Sequence, residues 1–184
     1  MGKLTILPTP LAGAVVVETN SFQDERGSFS RFFCSEELSC YWGNRSLVNI
    51  NFSSNVSKGT LRGIHTQRAP AAEMKMIRCI RGCLFDVIVD LRAGSPTFLQ
   101  WFGVELSASN QRMLIVPEGC GHGFQTLDDS TDALYLTTAR YQSEAEMGIH
   151  YADPCVGISW PLPVSSISDK DRLSPFLPSN FAGL

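Results

Sequence analysis

His65, His122 and His150 are the three histidines of this 184-residue chain, and two of them stand in dense polar surroundings. His65 lies in Leu61-Arg62-Gly63-Ile64-His65-Thr66-Gln67, and Lys75 follows beyond the loop Arg68 to Ala72. Histidine takes and returns protons near neutrality because its ordinary pKa is about 6.5. If this segment is a strand, a loop and a returning strand, Arg62, His65, Gln67 and Lys75 converge on one cavity. The company of two cations favours a functional histidine over a satisfied core one. His122 lies in Pro117-Glu118-Gly119-Cys120-Gly121-His122-Gly123-Phe124, a turn that delivers a histidine onto a strand, either as a hydrogen-bonded structural residue or as a substrate contact.

The elements that must position these residues are strands. Helical periodicity is almost absent, whereas short runs rich in β-branched and aromatic residues recur between Gly, Pro, Asn and Asp punctuation. The pattern predicts an all-β fold with strands over Ala14 to Thr19, Ser28 to Cys34, Ser46 to Ser53, Met74 to Gly82, Leu84 to Leu91, Trp101 to Leu106, Arg112 to Val116, Gly123 to Leu127 and Ala133 to Tyr141. One early helix is expected over Ser35 to Tyr41, capped by Ser35, with Glu36 and Glu37 at its positive end. Gly82 and Gly94-Ser95-Pro96 supply turn chemistry around a strand carrying Asp86 and Asp90, as closure into a double-sheet barrel requires. The last thirty or so residues, from Asp153, read as a packed tail with short helical turns. No repeat or linker divides the chain, so 1–184 is expected to form a single domain.

Fifteen basic and 18 acidic residues give a net charge of −3 without a long run of one sign, so no nucleic-acid or membrane surface is expected. Any anion must be held by a few placed residues. Met1 to Leu11 lacks the apolar stretch of a signal peptide or membrane span, and a cytoplasmic protein is expected. Cys34, Cys40, Cys79, Cys83, Cys120 and Cys155 have neither zinc-knuckle nor redox spacing and read as thiols.

The Pro-x-Gly-x-x-His pattern ending at His122 resembles the second motif of cupin barrels. More specifically, the chain resembles dTDP-4-dehydrorhamnose 3,5-epimerases and related nucleotide-sugar epimerases from about Phe22 to Leu177. The matching segments are Asp24-Glu25-Arg26-Gly27-Ser28-Phe29, Leu61 to His65, Lys75, Asp86 to Arg92, Gly94 to Phe98, Pro117 to Phe124, Asp153-Pro154, Trp160-Pro161 and Ser168-Asp169-Lys170-Asp171.

This resemblance implies a double-stranded β-helix of the cupin, or jelly-roll, type with a few short helices. It also implies an isomerase of deoxysugar and surface-polysaccharide biosynthesis that needs no cofactor and no metal. The enzyme would epimerise C3, C5 or both in a nucleoside-diphosphate 4-keto-6-deoxy sugar. It casts His65 as the general base beside the ketone, Asp171 as its carboxylate partner, Lys75 as the cation facing the ketone oxygen, and Tyr135 as the acid on the opposite face. Arg26 and Arg62 fall at diphosphate-binding positions, Phe29 and Tyr141 at nucleotide-base positions, and Asn51 at a sugar contact, while Gln67 and His122 match further substrate-binding positions. The resemblance also implies a homodimer whose N-terminal segment reaches the neighbouring subunit.

Four positions depart from the family pattern. Asn49 and Glu73 replace glutamines, Thr66 replaces a tyrosine, and Arg31 replaces a glutamate. Because they cluster around the sugar, they suggest a different 4-keto sugar or nucleotide, or inversion at a single centre. Two other readings compete. One is a metal-dependent cupin using His65, Glu73 and His122 with Gln67; the other is a non-catalytic sugar-nucleotide binding protein.

Overall fold

The computed structural model describes residues 4–184. Its strands, in chain order, are β1 (Leu4–Pro8), β2 (Val15–Thr19), β3 (Phe22–Asp24), β4 (Gly27–Phe29), β5 (Asn49–Asn55), β6 (Thr60–Gln67), β7 (Lys75–Arg81), β8 (Cys83–Asp90), β9 (Trp101–Ser107), β10 (Met113–Val116), β11 (Cys120–Thr126), β12 (Thr131–Thr137), β13 (Glu146–Gly148) and β14 (Ser166–Ile167). The helices α1 (Ser39–Trp42) and α2 (Asp169–Arg172) have four residues each. One sheet runs β1-β2-β10-β7-β12-β5; the other runs β13-β6-β11-β8-β9, with β14 parallel to β6. The two sheets pack face to face as a sandwich of the cupin, jelly-roll type, the class expected from the sequence.

Strand alternation distributes the apolar residues over three layers. Val16, Ile77, Leu114, Leu84, Ile88 and Phe124 face inward and form the core between the sheets. Val15, Val17, Met76, Met113 and Ile115 point to the outer face of the first sheet, where Leu38 and Trp42 cover them. Ile64, Val87 and Val89 face out from the second sheet, under Val156 and Leu177 of the C-terminal tail. Beneath the tail, Gly123 lets β11 approach β6 closely, since a Cβ there would fall 2.6 Å from the Arg62 carbonyl oxygen.

Three expected elements are corrected. The strand proposed over Ser28 to Cys34 is only Gly27–Phe29. Beyond it, Phe33 turns to stack edge-on against Trp42, with ring centroids 5.2 Å apart, so those aromatics cover a sheet instead of extending one. The helix expected over Ser35 to Tyr41 is a turn followed by Ser39–Trp42, without a side-chain cap. Glu37 serves elsewhere, accepting the Leu4 N–H at 2.7 Å and pairing with Arg31. The last long strand stops at Thr137, where the chain bends and Gln67 takes the Arg140 carbonyl at 3.2 Å. All six cysteines are free thiols.

Candidate active site

Two of the three histidines lie on adjacent strands, for the antiparallel register of β6 and β11 sets His65 opposite His122. Their partners differ. The parallel pairing of β14 with β6 carries the following helix α2 back over β6. There the Ser168 hydroxyl caps α2 by accepting the Asp171 N–H at 3.1 Å. Asp171 Oδ1 then lies 2.6 Å from His65 Nε2, and Oδ2 accepts the Gly63 N–H at 3.2 Å. Burial of Asp171 opposes ionisation, but hydrogen bonds and charge from His65, with further bonds to Gly63 and Ser168, outweigh it and hold the carboxyl below its ordinary value. An ionised Asp171 accepts from Nε2–H, which leaves the lone pair on Nδ1.

This pair faces a cavity of about 420 Å³, lined also by Asn51, Ser53, Arg62 and Tyr135, with Phe52, Ser168 and Lys170 completing the wall. Asn51 and Tyr135 are register partners on β5 and β12 and so enter together. Arg62 is oriented by Asn55, whose Oδ1 accepts its Nε–H at 2.7 Å. Burial, reinforced by the negative charge of Asp86, pushes the Tyr135 phenol above its ordinary value and keeps it a proton donor.

His122 stands behind that phenol. Its ring lies edge-on to Tyr135 with centroids 5.8 Å apart, and its Nε2 is 2.7 Å from Asp86 Oδ1. The pair is buried, with 4% of the His122 side chain exposed and none of Asp86. Burial raises the Asp86 pKa against the pull of His122 and Lys75.

Other expected site residues stand apart from this cavity. The Lys75 ammonium lies 3.4 Å from the His65 carbonyl oxygen and 3.3 Å from Glu73 Oε1, beside the cavity wall. Gln67, the last residue of β6, is buried; its amide donates to the carbonyls of Ala71 and Arg140 and accepts the Gln142 N–H at 2.6 Å. Its side chain therefore organises loops. Arg26 and Phe29 sit on the β3–β4 hairpin, which with Phe22 lines a separate cavity of about 430 Å³. Tyr141 is exposed and donates to Glu146 Oε2 at 2.9 Å.

Lys170 and Glu146 were not singled out from sequence. The Lys170 ammonium lies 2.6 Å from Glu146 Oε2, which joins α2 to β13 at the cavity mouth. The Ser168-Asp169-Lys170-Asp171 run held the signal for Lys170, whereas nothing near Glu146 marked it. Among the described residues, no group of three or more His, Cys, Asp or Glu side chains converges as metal ligands. His65 and His122 each meet a carboxylate, Glu73 meets Lys75, and Gln67 meets backbone, so the proposed set of His65, Gln67, Glu73 and His122 does not assemble as a metal centre.

A family model described as dTDP-4-dehydrorhamnose 3,5-epimerase matches residues 8–179. The chain is 40% identical to the dTDP-4-dehydrorhamnose 3,5-epimerase of Shigella flexneri, over 91% of this chain and 93% of that one. The enzyme of the same name from Methanothermobacter thermautotrophicus is also 40% identical, over 94% of each chain. Among solved structures, the Bacillus anthracis dTDP-4-dehydrorhamnose 3,5-epimerase with TDP and PPi bound superposes with a TM-score of 0.91 at 38% identity, covering 95% of this chain and 99% of that one. ChmJ, a 3'-monoepimerase from Streptomyces bikiniensis in complex with dTDP-quinovose, gives 0.85 at 31% identity, over 92% and 86%.

Proposed function

The chain belongs to the dTDP-4-dehydrorhamnose 3,5-epimerase family, and from that premise we propose that His65 and Tyr135 move protons on opposite faces of a nucleotide-linked 4-keto-6-deoxy sugar. The protein is an isomerase of deoxysugar biosynthesis that inverts C3, C5 or both. The observation that carries the assignment of roles is the ionised Asp171 held 2.6 Å from His65 in a cavity that also contains Tyr135.

His65 Nδ1 takes the proton α to the ketone, and Asp171 stabilises the resulting imidazolium. The negative charge moves onto the ketone oxygen, where Lys75 supplies the opposing charge. Tyr135, kept protonated by its burial, returns a proton to the other face of the enolate. Arg62 and Arg26 bind the diphosphate, Phe29 and Tyr141 flank the base, and Asn51 contacts the sugar, with Gln67 and His122 supporting the site from behind its wall.

The β3–β4 hairpin supports a homodimer in which Arg26 and Phe29 serve the neighbouring subunit's cavity. The Arg26 side chain is 90% exposed, Phe29 is 63% exposed, and the residues lining their separate cavity do not overlap those of the His65 cavity. No helix among the described residues is long and apolar enough to cross a membrane, and a cytoplasmic site of action accords with a nucleotide-sugar substrate.

The test is incubation with dTDP-4-keto-6-deoxyglucose in deuterated water, with deuterium located by NMR. Label at C3 and C5 of inverted product is expected. Label at one centre alone assigns a monoepimerase, in keeping with Thr66 and Glu73; no label at either carbon refutes the proton-transfer roles.

A further inference from the structure

Arg78, in the middle of β7, is 2% exposed, and its guanidinium is met by neutral oxygens. One nitrogen donates to the Gln111 carbonyl; another donates to Thr19 Oγ1 at 2.9 Å and to the Phe32 carbonyl at 3.4 Å. The group also lies 4.1 Å from the centre of the Phe32 ring, while its Nε has no hydrogen-bond partner. Burial draws its pKa down to about 10, which leaves it charged near neutrality. A buried cation met by neutral oxygens and an aromatic ring instead of a carboxylate is costly, so its contacts matter for what they hold in place.

They hold the two ends of one excursion. Thr19 ends β2 and Phe32 follows β4, so Arg78 gathers the entry and exit of the β3–β4 hairpin. Gln111 closes the same neck, for its side-chain Oε1 accepts Ser21 Oγ at 2.5 Å and Ser30 Oγ at 2.8 Å. Those hydroxyls are themselves 2.6 Å apart. Beyond this neck, among the described residues β3 and β4 pair only with each other, and Phe22, Arg26 and Phe29 project from them.

We propose that Arg78 and Gln111 form a clamp that fixes the direction of the hairpin, acting as positioning residues for nucleotide binding without touching the substrate. This rests on the reading above that Arg26 and Phe29 meet the nucleotide. The clamp converts a two-stranded ribbon, too small to be rigid alone, into a fixed arm.

Gln111→Asn shortens the side chain by one methylene, out of reach of both serines. It suits the left-handed backbone at this position, where φ is 51°. The variant is expected to raise KM for the nucleotide sugar about ten-fold while kcat stays within about two-fold of wild type, the pattern of lost uniform binding. Amide exchange across residues 21–30 should accelerate, and Ser30→Ala should act in the same direction. In an Arg26→Ala background, Gln111→Asn should add less than about two-fold, because both act through the same arm. If Arg26→Ala raises KM but Gln111→Asn and Ser30→Ala do not, the clamp is refuted and the arm's contact with nucleotide stands. If Arg26→Ala itself leaves KM unchanged, the assignment of the arm to nucleotide falls, and the clamp's functional role falls with it.

Discussion

His65 Nε2 and Asp171 Oδ1 lie 2.6 Å apart across 106 residues of chain, joining the strand that carries the proposed base to a four-residue helix near the C-terminus. The carboxylate selects the ring tautomer. Asp171→Asn offers an N–H where an acceptor stood, which drives the imidazole proton onto Nδ1 and removes the lone pair facing substrate. Solvent deuterium exchange should fall by about 10²–10⁴-fold, and His65→Asn should abolish it, with nucleoside-diphosphate binding retained in both. Near-wild-type exchange in His65→Asn would remove that residue from the mechanism.

The same contact makes a prediction about acid stability. The folded Asp171 has a pKa below its ordinary 3.8, so ionisation favours the native state at any pH above that value. The contribution is lost as pH falls through the lowered native value. Thermal melts should therefore show wild type more stable than Asp171→Asn above about pH 3.8, with the gap closing on further acidification. A gap that widens in acid would reverse the sign.

Tyr135→Phe keeps the ring against His122 and Phe124 while removing the proposed donor. The variant should still wash deuterium into substrate through His65 with retained configuration, while inversion falls by about 10²-fold or more. Inversion at the wild-type rate would transfer the second-face role to another group.

Arg62 reaches the cavity from β6 with its Nε held by Asn55. Arg62→Ala should weaken dTDP binding in calorimetry by about 1.5–3 kcal/mol, the range for a hydrogen bond to a charged group. Unchanged affinity would place the diphosphate elsewhere.

Glu73 departs from the family pattern and pairs with Lys75 at 3.3 Å. Glu73→Gln removes one negative charge beside the cation proposed to face the ketone oxygen. A gain in kcat of up to about five-fold is expected, corresponding to about 1 kcal/mol. A loss of activity would mean that Glu73 holds Lys75 in its working position.

Much of this protein was legible in the residues themselves. Short β-branched runs such as Val15 to Val17 and Val87 to Val89, bounded by glycine and proline, marked strands, and because a strand's side chains face two ways their residues divide between the inner and outer layers. Local sequence context picked out His65 and Arg62, the family resemblance added Tyr135 and Asp171, and these four do share a cavity. Other features had no local signature. Neither the β14–β6 pairing that returns Asp171 to His65 nor the Glu146–Lys170 pair can be read from neighbouring residues, because each joins segments distant in sequence. Gln67 and His122 show the limit in the other direction. Their residue types suited a ligand-binding wall, yet burial assigned the Gln67 amide to backbone and His122 to Asp86, since a polar group removed from water must be met by whatever the fold brings beside it.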